Sequence, residues 1–217
     1  MLIVVTGALA GFFHVLSGPD HLAAVAPLAV DGRRKSWIAG WTWGLGHASG
    51  VVVVALLAVM LRELLPPIDI LSAWSERVVG AALIGIGLWA LSRCLRVGGA
   101  PHRHGERSHD HLHVQAGPAL IRRLGHAHAS FCMGVLHGVA GSSHFFGVLP
   151  ALALPTTTAA VLYIGAFGVG TVVAMTMFAA AVGTIAIRGI HGPRAYRAMM
   201  TAAALLAIVV GGVWLTA

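Results

Sequence analysis

The chain has 217 residues, of which 58% are hydrophobic and only 10% are charged, and its mean hydropathy is +0.85. So little polar surface cannot cover a water-soluble globule, and lipid must therefore surround most of the chain. The formal charge of +7 would suit a nucleic-acid-binding protein, but the basic residues stand in short clusters between apolar runs. That arrangement is typical of a membrane-orientation signal and predicts no nucleic-acid partner.

Six stretches are long and apolar enough to span a bilayer, which takes roughly 20 residues. They lie at about 3–28, 37–61, 74–97, 130–153, 157–187 and 196–216. The sequence therefore predicts an all-α, polytopic membrane protein with three helices in residues 1–97 and three in residues 130–217. The segment 98–129 between them is rich in His, Arg and Gly and lacks apolar periodicity, so we expect a flexible loop.

The basic residues predict the orientation of these spans. Twelve of the 14 Lys and Arg residues follow the first, third or fifth span, and such clusters mark the cytoplasmic side. Both termini are therefore expected outside the cytoplasm, with the His-rich loop inside, in a multi-pass protein of the cytoplasmic (inner) membrane. Trp37, Trp41, Trp43 and Trp74 are interpreted as interfacial anchors or packing residues.

An internal repeat appears when the first span is laid over the fourth at an offset of 123 positions. Gly11, His14, Gly18, His21 and Pro27 then fall on Gly134, His137, Gly141, His144 and Pro150. A weaker match at an offset of 124 joins 44–47 to 168–171. Each unit holds three spans, so the second copy must enter the membrane inverted, as in many secondary transporters, whose equivalent helices are broken near the midplane.

The spacing of the paired histidines predicts a break in each of these two helices. In a continuous helix His14 and His21 would stand about 10.5 Å apart along the axis, too far for one ion with metal–nitrogen bonds of about 2.0–2.1 Å. Gly18 and Pro19 can break the first helix, because Pro removes a helical hydrogen bond and Gly tolerates unusual dihedrals. Gly141 and Ser142 are the corresponding break in the second copy.

The ionisable residues at membrane depth predict a metal site. A lone carboxylate such as Asp20 is costly there and needs a partner, and His47 follows two small residues that allow a second helix to approach. The predicted ligands are His14, Asp20, His21, His47, His137 and His144. Imidazoles with one carboxylate suit Ni, Co, Zn or Cu(II) and disfavour Cu(I), Ca and Mg. For each single histidine, a hydrogen bond between helices is the alternative interpretation.

The His-rich loop offers a second, weaker place for a cation. Its histidines include His102, His104, His109, His111 and His113, with His126 and His128 further on. Closely spaced histidines in a polar segment often capture metal ions. A solvated linker with incidental histidines is the alternative.

These motifs resemble those of the nickel/cobalt permease superfamily, in particular its urease-accessory-like (UreH/NicO-like) membrane proteins. The resemblance rests on the segments HVLSGPDH at 14–21, LGHAS at 45–49 and HGVAGSSH at 137–144. It implies transport of nickel or cobalt, with the motif His and Asp residues as ligands and with import favoured over export. One departure is the H-x5-D-H spacing, where the well-known nickel permeases have H-x4-D-H.

Two other functions stay open at this point. One is a thiol-redox electron carrier, which would need Cys94 and Cys132 to meet; the other is a membrane metallochaperone for urease maturation. No nucleotide-binding motif is present, and no catalytic residues, enzymatic activity or permanently bound cofactor are predicted. The expected partners are the bilayer and a divalent metal ion as cargo, with urease maturation factors or a metallochaperone as candidates.

Overall fold

The protein is a bundle of helices with one small β-hairpin. In this computed structural model the backbone is described for residues 1–32, 35–60, 68–104, 107–114, 119–140, 149–189 and 192–216, and the side chains for residues 1–32, 35–55, 77–95, 127–140, 149–189, 192 and 194–216. The first half contains helices α1 (Leu2–Ser17), α2 (Pro19–Gly32), α3 (Ser36–Met60) and α4 (Ile68–Arg96). Strands β1 (Val97–His104) and β2 (Arg107–Val114) follow, and then helices α5 (Ala119–Ala140), α6 (Thr157–Gly189) and α7 (Pro193–Thr216).

Four of these helices contain segments long and apolar enough to cross a membrane: Ser36–Ala55, Arg77–Leu95, Thr157–Gly189 and Arg194–Thr216. Helices α1 and α2 pass the same test together as a pair bent by 73°. Large apolar side chains on the outside of the bundle, such as Leu88, Val169 and Val209, are more than half exposed, as expected for a surface solvated by lipid. The prediction of an all-α membrane protein is confirmed, although the described residues supply at most five such spans rather than six.

The segment expected to be a flexible loop has regular structure instead. Strands β1 and β2 pair antiparallel from Val97 opposite Val114 to His104 opposite Arg107, with His102 opposite His109. Helix α5 then begins at Ala119, well before the predicted end of the loop. The physical reason is that a segment too polar to be buried can satisfy its own backbone donors and acceptors in a local hairpin.

Glycines allow the helices to pack with their backbones in contact. A Cβ at Gly11 of α1 would overlap the carbonyl oxygen of Phe167 in α6, and one at Gly134 of α5 would overlap that of Trp43 in α3. Small residues at such crossings are the usual means of close helix packing in lipid, where no hydrophobic effect drives helices together.

These contacts recur in pairs along the chain. Gly170 of α6 abuts Ala8 and Phe12 of α1, and Gly46 of α3 abuts Phe131 and Val135 of α5. Phe131 and Val135 lie 123 positions after Ala8 and Phe12, and Gly170 lies 124 positions after Gly46. The packing of α1 on α6 therefore resembles the packing of α5 on α3.

The order of the contacts also gives the directions of the helices. Gly7 and Gly11 meet Tyr163 and Phe167, so α1 and α6 are parallel, while Gly134 and Gly138 meet Trp43 and His47, so α5 and α3 are parallel. Helices α3 and α6 are antiparallel, because Gly40 meets Met175 whereas Gly168 meets Ala48. It follows that α1 and α5 run in opposite directions.

An ion pair anchors the far end of α2. Arg93 of α4 donates to both carboxylate oxygens of Asp31, at 2.8 and 2.9 Å, and the hydroxyl group of Tyr196 in α7 donates to the same carboxylate at 2.8 Å. Because these groups are mostly buried, the pair fixes α2 against α4 and α7.

The glycine contacts predict a sharp difference between two substitutions on one helix. Gly170→Ala would place a methyl group against the carbonyl oxygen of Ala8, whereas no atom lies within 4 Å of a Cβ at Gly165. We expect Gly170→Ala to destabilise the fold by about 1–3 kcal/mol through overpacking. Gly165→Ala should be neutral or slightly stabilising, because Ala is the better helix former by about 1 kcal/mol. Thermal unfolding in detergent would check this, and equal stability of the two variants would contradict the packing described.

Candidate metal centre

The break between α1 and α2 brings the first two histidines together. Helix α1 ends at Ser17 and α2 begins at Pro19, while the amide of Gly18 donates to the carbonyl oxygens of His14 and Val15 at 3.2 and 3.3 Å. The bend places the ring centroids of His14 and His21 only 4.6 Å apart. Gly18 has to be small, because a Cβ there would crowd Nδ1 of His21 and Oδ1 of Asp20.

His47 of α3 completes a group of three imidazoles. Its ring centroid lies 4.9 Å from that of His21 and 5.8 Å from that of His14. One potential ligand atom from each of these three residues lies within 4.8 Å of the others. His21 and His47 are fully buried, so the group lies inside the bundle rather than on its lipid-facing surface.

The carboxylate of Asp20 joins this group to α5. Oδ1 of Asp20 accepts a hydrogen bond from Nδ1 of His21 at 2.9 Å, and Oδ2 accepts one from Nε2 of His137 at 2.8 Å. Asp20 is 1% exposed and His137 is 5% exposed. Asp20, His21 and His137 form a second group whose potential ligand atoms lie within 4.8 Å of one another, so His21 belongs to both groups.

Aromatic rings enclose the histidines. The indole of Trp43 stacks on His47, with centroids 4.9 Å apart and planes 9° apart, and lies 5.3 Å from His137. Phe167, 124 positions later, lies 5.4 Å from His14. Trp43 is fully buried, whereas Trp37 and Trp41 are about half exposed. Of the two interpretations offered for Trp43, the structure therefore favours packing, at the centre of the bundle, over an interfacial anchor.

The aromatic wall is the part of the site that the sequence interpretation missed. Trp43 precedes His47 by one helical turn, and Phe167 occupies the equivalent position before Thr171. That spacing places each ring on the same helix face as the residue one turn later. It is the sequence feature from which the two aromatic residues of the site could have been predicted. The hydroxyl group of Thr171 donates to the carbonyl oxygen of Phe167 at 3.0 Å, so a backbone-bonded hydroxyl group lies 124 positions after His47.

Several residues singled out from the sequence lie elsewhere. His144, Gly141 and Ser142 are outside the described residues, as are the side chains of the histidines at 102–113 and at 126. His128 is exposed on α5. Cys94 is buried in α4, where its thiol contacts Thr201 at 3.6 Å, and Cys132 is exposed on α5; neither forms a disulfide. The described side chains thus bring imidazoles and one carboxylate together, with no thiol among them.

This donor set can bind a cation of borderline softness. Imidazole nitrogens with one carboxylate are typical ligands of divalent first-row transition metals. For a tetrahedral ion with metal–nitrogen bonds of about 2.0–2.1 Å, the ligand atoms must lie about 3.4 Å apart. The potential ligand atoms of each group lie within 4.8 Å of one another, so atoms near that limit must move closer together to bind one ion.

The fold and the site together define a helical membrane protein with a cluster of four histidines and one aspartate inside its bundle. No protein-family profile matches the chain, and no solved structure matches it.

Three curated proteins are similar to the chain. Chloroplast protein FOR GROWTH AND FERTILITY 1 of Arabidopsis thaliana is 38% identical over 186 residues, which cover 82% of this chain and 49% of that protein. Chloroplast protein FOR GROWTH AND FERTILITY 2 of the same plant is 34% identical, with 82% and 46% covered. The chain thus spans about half the length of these two relatives. Urease accessory protein UreH of Bacillus sp. (strain TB-90) is 28% identical over 190 residues, with 83% and 76% covered, which makes the chain a distant relative of that protein.

The stacking of Trp43 on His47 predicts an optical signal of metal binding. We expect Co²⁺ or Ni²⁺ to quench part of the tryptophan fluorescence of the protein in detergent, because the indole lies within 4.9 Å of an imidazole of the cluster. In Trp43→Phe, which introduces the residue found at position 167, most of that quenching should disappear. Trp41→Phe, a half-exposed neighbour on α3, is the matched control and should retain it; equal loss in both variants would contradict the assignment.

Proposed function

We propose that the protein carries a divalent transition metal ion across the membrane through the His/Asp cluster at the break between α1 and α2. The observation that supports this most strongly is the clustering of imidazoles from α1, α2, α3 and α5 with one carboxylate inside an apolar bundle. Ionisable groups are costly at membrane depth and commonly mark ion pathways there. Broken helices are tolerated at that depth only where protein or a wet cavity covers them.

The proposed architecture is six spans in two inverted repeats of three, with breaks near Gly18 and near Gly141. Three observations support it: the recurrence of His-x6-His at an offset of 123, the paired glycine contacts of α1 on α6 and α5 on α3, and the opposite directions of α1 and α5. In this arrangement α5 and the residues after it form the fourth span. Transporters with such repeats bind their substrate where the broken helices meet.

Nickel or cobalt is the proposed cargo, with zinc as the alternative. The ligand chemistry admits all three, and the choice of nickel or cobalt rests on the motif resemblance together with the distant relationship to a urease accessory protein. The same relationship favours import over export and suggests delivery of the ion to urease maturation factors or a metallochaperone. The proposed location is the cytoplasmic membrane, with both termini outside and the His-rich hairpin inside the cytoplasm, as the distribution of basic residues indicates.

Metal flux into sealed proteoliposomes tests the proposed function. With Ni²⁺, Co²⁺ and Zn²⁺ offered separately and in competition, the wild-type protein should move at least one of them. Single variants His14→Ala, His21→Ala and Asp20→Asn should lose that flux, because each removes a ligand or the group that orients one.

The matched control is His128→Ala, which removes an exposed histidine on α5 and should leave the flux unchanged. All variants are compared at equal amounts of folded protein, judged by size-exclusion elution in detergent. Normal flux in the first three variants would refute the site. Metal binding without any flux would favour a membrane metallochaperone instead.

Shortening residues 102–113 should affect capture rather than passage. Because these histidines lie apart in sequence from the proposed cluster, we expect the maximal flux to persist while the metal concentration for half-maximal flux changes. The measurement is a concentration series in the same proteoliposomes. Complete loss of flux in a folded, shortened protein would show that the segment is part of the pathway.

A further inference from the structure

We infer that the residues of the cluster have three different roles. The ligands of the ion are His14, His21 and His47. Asp20 is a positioning residue that does not bind the ion, and His137 connects the site to the second half of the protein. This inference rests on the proposed function and deepens it. The sequence motifs predict that all of these residues are equivalent ligands, whereas the hydrogen bonds of Asp20 indicate that their roles differ.

Both carboxylate oxygens of Asp20 already accept hydrogen bonds. Oδ1 is held by Nδ1 of His21 at 2.9 Å and Oδ2 by Nε2 of His137 at 2.8 Å, and the carboxylate is 1% exposed. Each oxygen keeps a second lone pair, but the two bonds hold the carboxylate between two imidazoles, which is the position of an outer-shell partner rather than of a ligand. An ion bound by His14, by Nε2 of His21 and by His47 would leave both of these bonds intact.

The same bond sets the chemistry of His21. Because Nδ1 of His21 donates to Asp20, the lone pair of the neutral ring is on Nε2. A histidine that donates one ring N–H to a carboxylate while its other nitrogen binds a metal is the usual outer-shell arrangement of metal sites, where the carboxylate fixes the tautomer and raises the basicity of the ligand. The buried charge of Asp20 also offsets part of the charge of a divalent ion.

Three protein ligands suit a carrier better than a complete shell. A site with three protein ligands keeps at least one coordination position for water or an incoming ligand, so that the ion can enter and leave by exchange. All three ligands belong to the first half of the chain, on α1, α2 and α3. His137 on α5 contacts this group through its hydrogen bond to Asp20 and through its ring, whose centroid lies 4.7 Å from that of His21. It is therefore placed to couple occupancy of the site to movement of α5.

X-ray absorption at the metal edge tests the division of roles. Purified protein in detergent, loaded with one equivalent of Ni²⁺ or Co²⁺, should show three imidazole ligands. His47→Ala should show fewer, whereas Asp20→Asn and His137→Ala should retain three. The affinity of Asp20→Asn for the metal should fall by about 10–100-fold, the usual effect of removing an outer-shell partner. Asp20→Glu, which keeps the charge, is the second variant if Asp20→Asn does not yield folded protein.

Flux measurements separate the link from the ligands. His137→Ala should bind metal with nearly wild-type affinity but lose most of its transport in proteoliposomes, and His128→Ala on the same helix should resemble the wild type in both. A loss of imidazole signal in His137→Ala equal to that in His47→Ala would overturn the inference, and so would normal transport by His137→Ala. Normal binding and transport by His47→Ala would overturn the assignment of His47 as a ligand. Absence of metal flux with the wild-type protein is a different outcome, because the proposed function itself would then fail.

Discussion

The carboxylate of Asp20 is the group on which the interior of this protein depends. It lies at the start of α2, almost inaccessible to solvent, and accepts hydrogen bonds from His21 beside it and from His137 on α5. A carboxylate buried without partners would be strongly destabilising, so these two bonds make its burial tolerable. They also join α2 to α5 at one point, and His21, which makes one of the two bonds, belongs as well to the group with His14 and His47.

Close helix packing makes this arrangement sterically possible. The histidines can converge only if α3 and α5 approach closely, and they do so because Gly134 and Gly138 abut the carbonyl oxygens of Trp43 and His47. Trp43 packs against both His47 and His137. The result is a polar centre with an aromatic wall inside a bundle whose outer surface is apolar. At the other end of α2, Asp31 is held by Arg93 and Tyr196, so the helix that carries Asp20 and His21 is fixed at both ends.

The two halves of the chain carry different side chains at positions related by the offset of 124. The position of His47 in the first half corresponds to Thr171 in the second, and that of Trp43 corresponds to Phe167. Equivalent packing therefore surrounds unequal side chains: His14 lies against Phe167, and His137 lies against Trp43. The polar groups described at the centre are concentrated in the first half, with His137 as the contribution of α5. That asymmetry is consistent with one site that both halves enclose rather than two independent sites.

Much of the fold could be read from local features of the sequence. Apolar runs of sufficient length predict membrane helices, because the bilayer requires about 20 such residues whatever their neighbours are, and α3, α6 and α7 lie close to the predicted spans. The Gly18-Pro19 pair likewise indicated where a helix could break, because the constraint is in the backbone of those two residues. The hairpin at Val97–Val114 was not foreseen, since a polar segment without apolar periodicity carries no local signal for strand pairing.

The sequence by itself determined that lipid surrounds this protein and where its helices approximately lie. It also determined the candidate ligands His14, Asp20, His21, His47 and His137. Only the tertiary structure decided how these residues relate to one another. The 73° bend between α1 and α2 and the close packing of α3 on α5 set the positions of the imidazole nitrogens relative to the carboxylate oxygens. As a result, Asp20 accepts hydrogen bonds from both His21 and His137. The role of Trp43 was likewise decided there. The bond between Asp20 and His137 joins residues 117 positions apart, and no local pattern of residue types encodes a distance or an angle between separate helices.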